Sequence, residues 1–141
     1  MAQTGGAVRR NTIQRELVLT AVRELGSHPN ADEVYCEVSR RHSGVSRSTV
    51  YRNLGILCDS GELLRITGAG GAEHFDHNTY SHVHFVCKRC GRCFDIKTMP
   101  MPNLISRVTD RRFEIDRCIT VFSGLCGDCR DNSAKTPTAS L

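Results

Sequence analysis

Eight cysteines and six histidines are the groups in this 141-residue chain best suited to chemistry, and their spacing is selective. Cys87-x-x-Cys90 and Cys126-x-x-Cys129 form two knuckles of two thiols each. Four thiolates paired in this way suit tetrahedral Zn²⁺ in a closed structural site. Two unrelated pairs of buried thiols, or a redox pair, is the competing reading. No apolar run approaches the roughly 18 residues needed to span a bilayer, and the opening MAQTGGAVRRNTIQ lacks a signal peptide's apolar stretch. A cytoplasmic chain is expected, and reduced cytoplasmic thiols favour metal over disulfides. Cys93 is near enough to compete, but its place in a predicted strand favours a packed side chain.

A second constellation is His82-x-His84, with Asp76 upstream, Asp95 in the segment CFDI, and His28 far earlier. In HVHFVC the two histidines fall on one strand face, because strand side chains alternate. Three imidazoles and two carboxylates match a first-row divalent ion such as Fe²⁺ or Mn²⁺. Surface His-x-His pairs are often inert, and His28, which precedes a proline, is also consistent with a residue that only begins a helix. His42, His74 and His77 have no such arrangement, although His74 or His77 could stand in for a ligand.

Charge adds a third feature. The formal net charge is only +4, but within 38–65 five arginines (Arg40, Arg41, Arg47, Arg52, Arg65) meet only Asp59 and Glu62. Such local basic stripes matter more than the total for phosphate contact. Arg9, Arg10 and Arg15 form another cluster, suited to phosphate or the minor groove or else to a solvated arm.

These groups need elements to position them. Ile13, Leu17, Ala21 and Leu25 recur at helical spacing after Thr12 as a possible cap and stop at Gly26. Asn30 with Glu33 resembles a capping box for a second helix ending at Ser43-Gly44. Ser46 caps a third, with Val50, Leu54 and Leu57 as its buried stripe and Arg47, Ser48, Tyr51, Arg52 and Gly55 on the other face. Strand ELLRI, turn GAGGA and strand EHFDH follow as a wing, so residues 1–78 read as a winged helix-turn-helix domain. A small α/β domain follows over 79–130, with strands HVHFVC and CFDI, a short helix over 103–109 and alternation through FEIDRCITVF. Residues 131–141 read as a disordered tail. The fold class is therefore α+β, and an enzyme is not expected, since nothing names a substrate pocket or a general base.

Taken together, HPNADEVY (28–35), VSRSTVYRNL (45–54), FDHNTYSHVHFVCKRCG (75–91) and GLCGDC (124–129) resemble the ferric uptake regulator (Fur) family of metal-dependent bacterial repressors. The similarity is greatest to its peroxide-sensing, PerR-type branch and covers about residues 10–130. It implies a cytoplasmic homodimer joined through the C-terminal halves, structural zinc on Cys87, Cys90, Cys126 and Cys129, and Fe²⁺ or Mn²⁺ on His28, Asp76, His82, His84 and Asp95. In the peroxide mechanism the oxidation-sensitive ligands fall on His28 and His82. Asp95 stands where iron-sensing members usually have glutamate, and Asp76 where zinc-sensing members tend to have cysteine.

The additional metal site of iron-sensing members would fall on Ser81, Val83, Pro102 and Cys118, a poor ligand set. The roles of Cys36, Cys58, Cys93 and Cys118 stay open. Arg47, Ser48, Thr49, Tyr51, Arg52 and Arg15 are the expected contacts to double-stranded DNA carrying an inverted repeat. An iron- or zinc-responsive uptake regulator of the same family is the near alternative, and a metal-binding or protein-interaction module without DNA function the distant one.

Overall fold

A computed structural model of the chain describes residues 4–68 and 71–135. The chain divides between Tyr80 and Ser81 into two units. The first holds α1 (Thr4–Leu25), α2 (Ala31–Arg41), α3 (Arg47–Asp59) and strands β1 (Leu64–Thr67) and β2 (Glu73–Asp76). The second holds β3 (Val83–Cys87), β4 (Cys93–Ile96), a single 3-10 turn at Ile105–Arg107, β5 (Thr120–Gly124) and α4 (Gly127–Lys135).

Local chemistry explains the helices of the first unit. Asn30 accepts the Glu33 N–H at 2.8 Å and starts α2, and Ser46 accepts the Thr49 N–H at 3.2 Å and starts α3. Gly26 ends α1 with φ of 65°, a conformation that costs glycine little. Val18 and Val22 of α1, Val34 and Val38 of α2, and Val50, Leu54 and Leu57 of α3 then meet in one core with Leu63 and Phe75. β1 and β2 pair antiparallel from Leu64 opposite Asp76 to Thr67 opposite Glu73.

In the second unit β3 is the central strand, antiparallel to β4 and parallel to β5. One buried cluster joins Cys87, Cys126 and Cys129, with Phe85 and Phe94 packed against it, and Val83, Val86 and Cys93 are buried as well. Large apolar side chains remain open to solvent, among them Met99 (85%), Phe113 (62%) and Phe122 (46%).

Four expectations need correction. α1 begins at Thr4, so Thr12 lies within the helix and not at its start; residues 4–11 carry no apolar stripe for periodicity to detect. Ile13, expected in the core, is 52% exposed, and the buried stripe starts at Val18. The helix expected over 103–109 is one 3-10 turn, fixed by Asn103, whose side chain accepts the Ile105 N–H. The alternating run FEIDRCITVF forms strand only from Thr120, because β3 offers five positions and β5 fills them, Val83 opposite Thr120 through Cys87 opposite Gly124.

The expected tail also differs. Residues 131–135 continue helix α4, while 136–141 lie outside the described residues. This helix is polar throughout, so no apolar period marks it, and the Arg130 N–H bond to the Cys126 carbonyl at 2.9 Å ties its start to the second knuckle. Among the described residues no helix is long and apolar enough to cross a membrane.

Leu54 and Ser46 separate core from cap energetics. Leu54→Ala is expected to cost about 2–5 kcal/mol and Ser46→Ala about 0.5–2 kcal/mol, read from chemical unfolding followed by circular dichroism. A Leu54→Ala chain as stable as the parent would contradict burial of Leu54 in the core.

Candidate functional site

A close grouping of reactive side chains is the four-cysteine cluster of the second unit. β3 delivers Cys87 at its end, and Gly91, with φ of 73°, lets the chain reverse just after Cys90. The Lys88 N–H bonds the Gly124 carbonyl at 2.8 Å, which holds the first knuckle against the end of β5 and so brings Cys126 close. One sulfur from each of Cys87, Cys90, Cys126 and Cys129 lies within 4.8 Å of the others. Cys90 and Cys126 sulfurs are 3.9 Å apart, close to the about 3.8 Å that tetrahedral Zn–S bonds of about 2.3 Å require.

The surroundings favour thiolate on one side of this cluster. The Cys87 sulfur accepts the N–H groups of Cys126 at 3.4 Å and Cys90 at 3.5 Å, and these bonds draw its pKa down to about 5. The Arg92 N–H and guanidinium lower that of Cys90. Burial, followed by the neighbouring thiols, pushes Cys129 up to about 12. A divalent cation reverses that last penalty, because it replaces mutual repulsion by attraction and takes each sulfur as thiolate. Donor set, spacing and electrostatics all fit zinc.

Imidazoles and carboxylates are paired within each unit. In the first, His28 occupies the left-handed region at φ of 53°, between Gly26 and Pro29. Two groups of β2 hold it there: His74 Nδ1–H donates to the His28 carbonyl at 2.9 Å, and the Phe75 N–H donates to the Pro29 carbonyl at 2.9 Å. Asp76, which ends β2, then stands 3.1 Å from His28 Nε2 through Oδ2, while its Oδ1 accepts the Asn78 N–H at 2.9 Å.

In the second unit His84 sits opposite Asp95 in the β3–β4 register. The His82 and His84 rings share a face, with centroids 4.1 Å apart. Asp95 Oδ1 lies 2.9 Å from His82 Nε2 and 3.7 Å from His84 Nε2. Each unit thus presents a nitrogen-and-oxygen donor set of the kind Fe²⁺ and Mn²⁺ take.

Sequence reasoning missed the part played by His74. It is buried, and through Nδ1 it supports the His28 backbone, a contact between residues 46 apart that spacing does not reveal. His42 and His77 are exposed.

On α3, Arg47, Ser48, Tyr51 and Arg52 are exposed and Thr49 is half-buried. Hydroxyls of Ser48 and Thr49 bond the Ser46 hydroxyl at 3.2 and 2.8 Å. Arg47 and Tyr51 both bond Asp32 of α2, a residue that the sequence did not single out. Arg15 of α1 is half-buried and Arg10 exposed, while the Arg9 side chain lies outside the described residues.

The Ferric uptake regulator family model matches residues 7–121. The peroxide-responsive repressor PerR of Staphylococcus aureus (strain USA300) is 32% identical over 124 residues, covering 86% of this chain and 83% of that protein. In fold, the chain is similar to the Campylobacter jejuni peroxide stress regulator (TM-score 0.68, 23% identity, 92% of this chain and 100% of that one). It is likewise similar to the Helicobacter pylori ferric uptake regulator Fur (TM-score 0.66, 19% identity, 88% and 87%).

Elemental analysis of the purified chain is expected to find one Zn²⁺ per chain that survives dialysis. Cys90→Ser and Cys126→Ser are each expected to lose it and to expose the second unit to proteolysis, since structural zinc contributes to folding free energy. Full zinc retention in both variants would remove the four-thiol site.

Proposed function

The chain belongs to the ferric uptake regulator family, a family of metal-responsive transcriptional regulators rather than enzymes, and on that footing we propose that it is a cytoplasmic, dimeric DNA-binding repressor that senses peroxide. The observation that carries the reading is that His28 and Asp76 are prepared as donors in the first unit, and His82, His84 and Asp95 in the second. Neither set alone fills the coordination of a first-row ion. In this proposal one Fe²⁺ or Mn²⁺ takes both sets, so metal occupancy selects the arrangement in which the dimer meets DNA.

Zinc on Cys87, Cys90, Cys126 and Cys129 is the structural metal of this reading. The first unit is its winged helix-turn-helix, with α3 as the reading helix and the β1–β2 hairpin as the wing. The second unit supplies the dimer contact: Met99, Phe113 and Phe122 are apolar and exposed, and a second copy covers such surface at the gain that apolar burial brings. A two-fold dimer sets two reading helices about one DNA turn, or a multiple, apart, and so calls for an inverted-repeat operator.

Arg47, Tyr51 and Arg52 face the groove in this reading, with Ser48 and Thr49 beside them and Arg15 toward phosphate. Neutralising the charges of Asp76 and Asp95 also lessens repulsion from the DNA backbone.

Ferrous iron, when bound, supplies the reduction of hydrogen peroxide. His28 or His82 would be the imidazole that gains an oxygen from the peroxide, and an oxidised imidazole is a poor ligand, so the two donor sets would separate and repression would lift. The 32% identity to a peroxide-responsive repressor supports this branch, as does aspartate at position 95.

Intact mass and peptide mapping test the reading. After brief low-dose peroxide, zinc-replete protein loaded with Fe²⁺ is expected to gain one oxygen (~16 Da) on the peptide holding His28 or His82, with loss of operator binding. The Mn²⁺-loaded protein is expected to remain unmodified. DNA binding that depends on Fe²⁺ or Zn²⁺ with no histidine oxidation would instead establish an iron- or zinc-responsive regulator.

A further inference from the structure

Asp32 is the second residue of α2, and its carboxylate reaches across to the start of α3. Its Oδ1 accepts both from the Arg47 guanidinium and from the Tyr51 phenol. Arg47 and Tyr51 are one helical turn apart and in contact with each other at 3.4 Å. The Arg47 guanidinium also lies over the Tyr35 ring, 4.5 Å from its centroid. A single carboxylate therefore engages two of the side chains assigned above to DNA.

The pairing is robustly ionic and yet easily opened. The Tyr51 hydrogen bond, with the Arg47 charge, holds the Asp32 carboxyl below its usual range, and the bonds to Tyr51 and Asp32 raise the Arg47 guanidinium. Both ends of the ion pair face solvent, with Asp32 68% and Arg47 54% exposed. Exposed pairs of this kind are weak and reversible. Complementing the α2 dipole is not a sufficient account of Asp32, because Glu33 stands in the same first turn and Asp32 is the residue that reaches α3.

We propose that Asp32 is a specificity-determining residue of the DNA-binding surface: its carboxylate occupies the donors of Arg47 and Tyr51 that a DNA phosphate would otherwise take. The inference rests on the DNA-binding reading of α3. A guanidinium fork bonds a carboxylate and a phosphate with the same geometry, so Asp32 acts as an internal competitor for phosphate. Random DNA offers Arg47 phosphate alone, and Arg47 stays with Asp32. A cognate site adds base edges for Arg47 and Tyr51 together, and the pair opens. Discrimination arises because the competitor weakens the wrong complex more than the right one.

The test uses the full, metal-loaded chain in four forms: wild type, Asp32→Asn, Arg47→Gln and the double variant. The probes are a random-sequence duplex and the duplex that wild type enriches from a randomised library. Fluorescence anisotropy is read over a range of salt. Asp32→Asn is expected to bind the random duplex about two- to five-fold more tightly and to steepen its log K against log salt slope by about 0.9, the value of one further phosphate contact. The enriched duplex should gain less, so the ratio between the two falls. In the Arg47→Gln background the same Asp32 substitution should leave the slope unchanged.

An unchanged slope and ratio in Asp32→Asn would overturn the proposal. So would equal steepening in both backgrounds, which would make Asp32 a general repulsive charge, and so would loss of binding to both duplexes, which would make it a required support. If wild type enriches no duplex, the DNA-binding reading itself fails and the role of Asp32 falls with it.

Discussion

The closeness of four cysteine sulfurs constrains the second unit in a way that its hydrocarbon does not. Cys87, Cys126 and Cys129 cluster in its interior, where Val83, Val86 and Cys93 are also buried, while Met99, Phe113 and Phe122 lie in solvent. A single apolar core in a unit of this size rarely supplies more than about 3–5 kcal/mol, so a metal held by the four thiols adds a large share. Bringing the two knuckles together also fixes what lies between them, since the Lys88 bond to Gly124 sets the end of β3 against the end of β5. That alignment sets which way the faces of β3 turn, and with them the side to which His84 is presented. The position of His84 thus depends on the sulfur cluster at the far end of the same short strand.

In the first unit the corresponding constraint is the alternation of β2. Phe75 enters the helical core, which leaves His74 and Asp76 on the opposite face. His74 supports the His28 carbonyl and Asp76 meets the His28 ring. The adjoining Phe75 N–H fixes Pro29. Three consecutive residues therefore hold one histidine in a left-handed conformation that a non-glycine residue adopts only with support. Core packing and site geometry are consequences of one strand register.

Much of this was legible in the sequence where the cause was local. The Asn30 and Ser46 caps, the α3 stripe, the β1–β2 hairpin and the common side of His82 and His84 each follow from a few neighbouring residues. What was not legible depends on partners distant in sequence. Phe113–Ile119 alternate as a strand would, yet β3 is too short to pair with them. The first turns of α1 and the whole of α4 carry no apolar period. Asp32 looks like any acidic residue opening a helix until α3 is laid beside it, and His74 like a spare ligand until its bond to the His28 backbone is seen.

The parallel pairing of β3 with β5 also has a consequence for the order of events during synthesis. Parallel neighbours require a long crossover, here the chain from β4 to Thr120, and the second knuckle comes only after it. Every element of the first unit has been made by then, and domains generally fold in the order in which they are translated. Closing the second unit requires distant segments to meet, an entropic cost that slows such steps. The nascent chain therefore passes through a stage in which its helical half is complete while the other half still awaits its last two thiols.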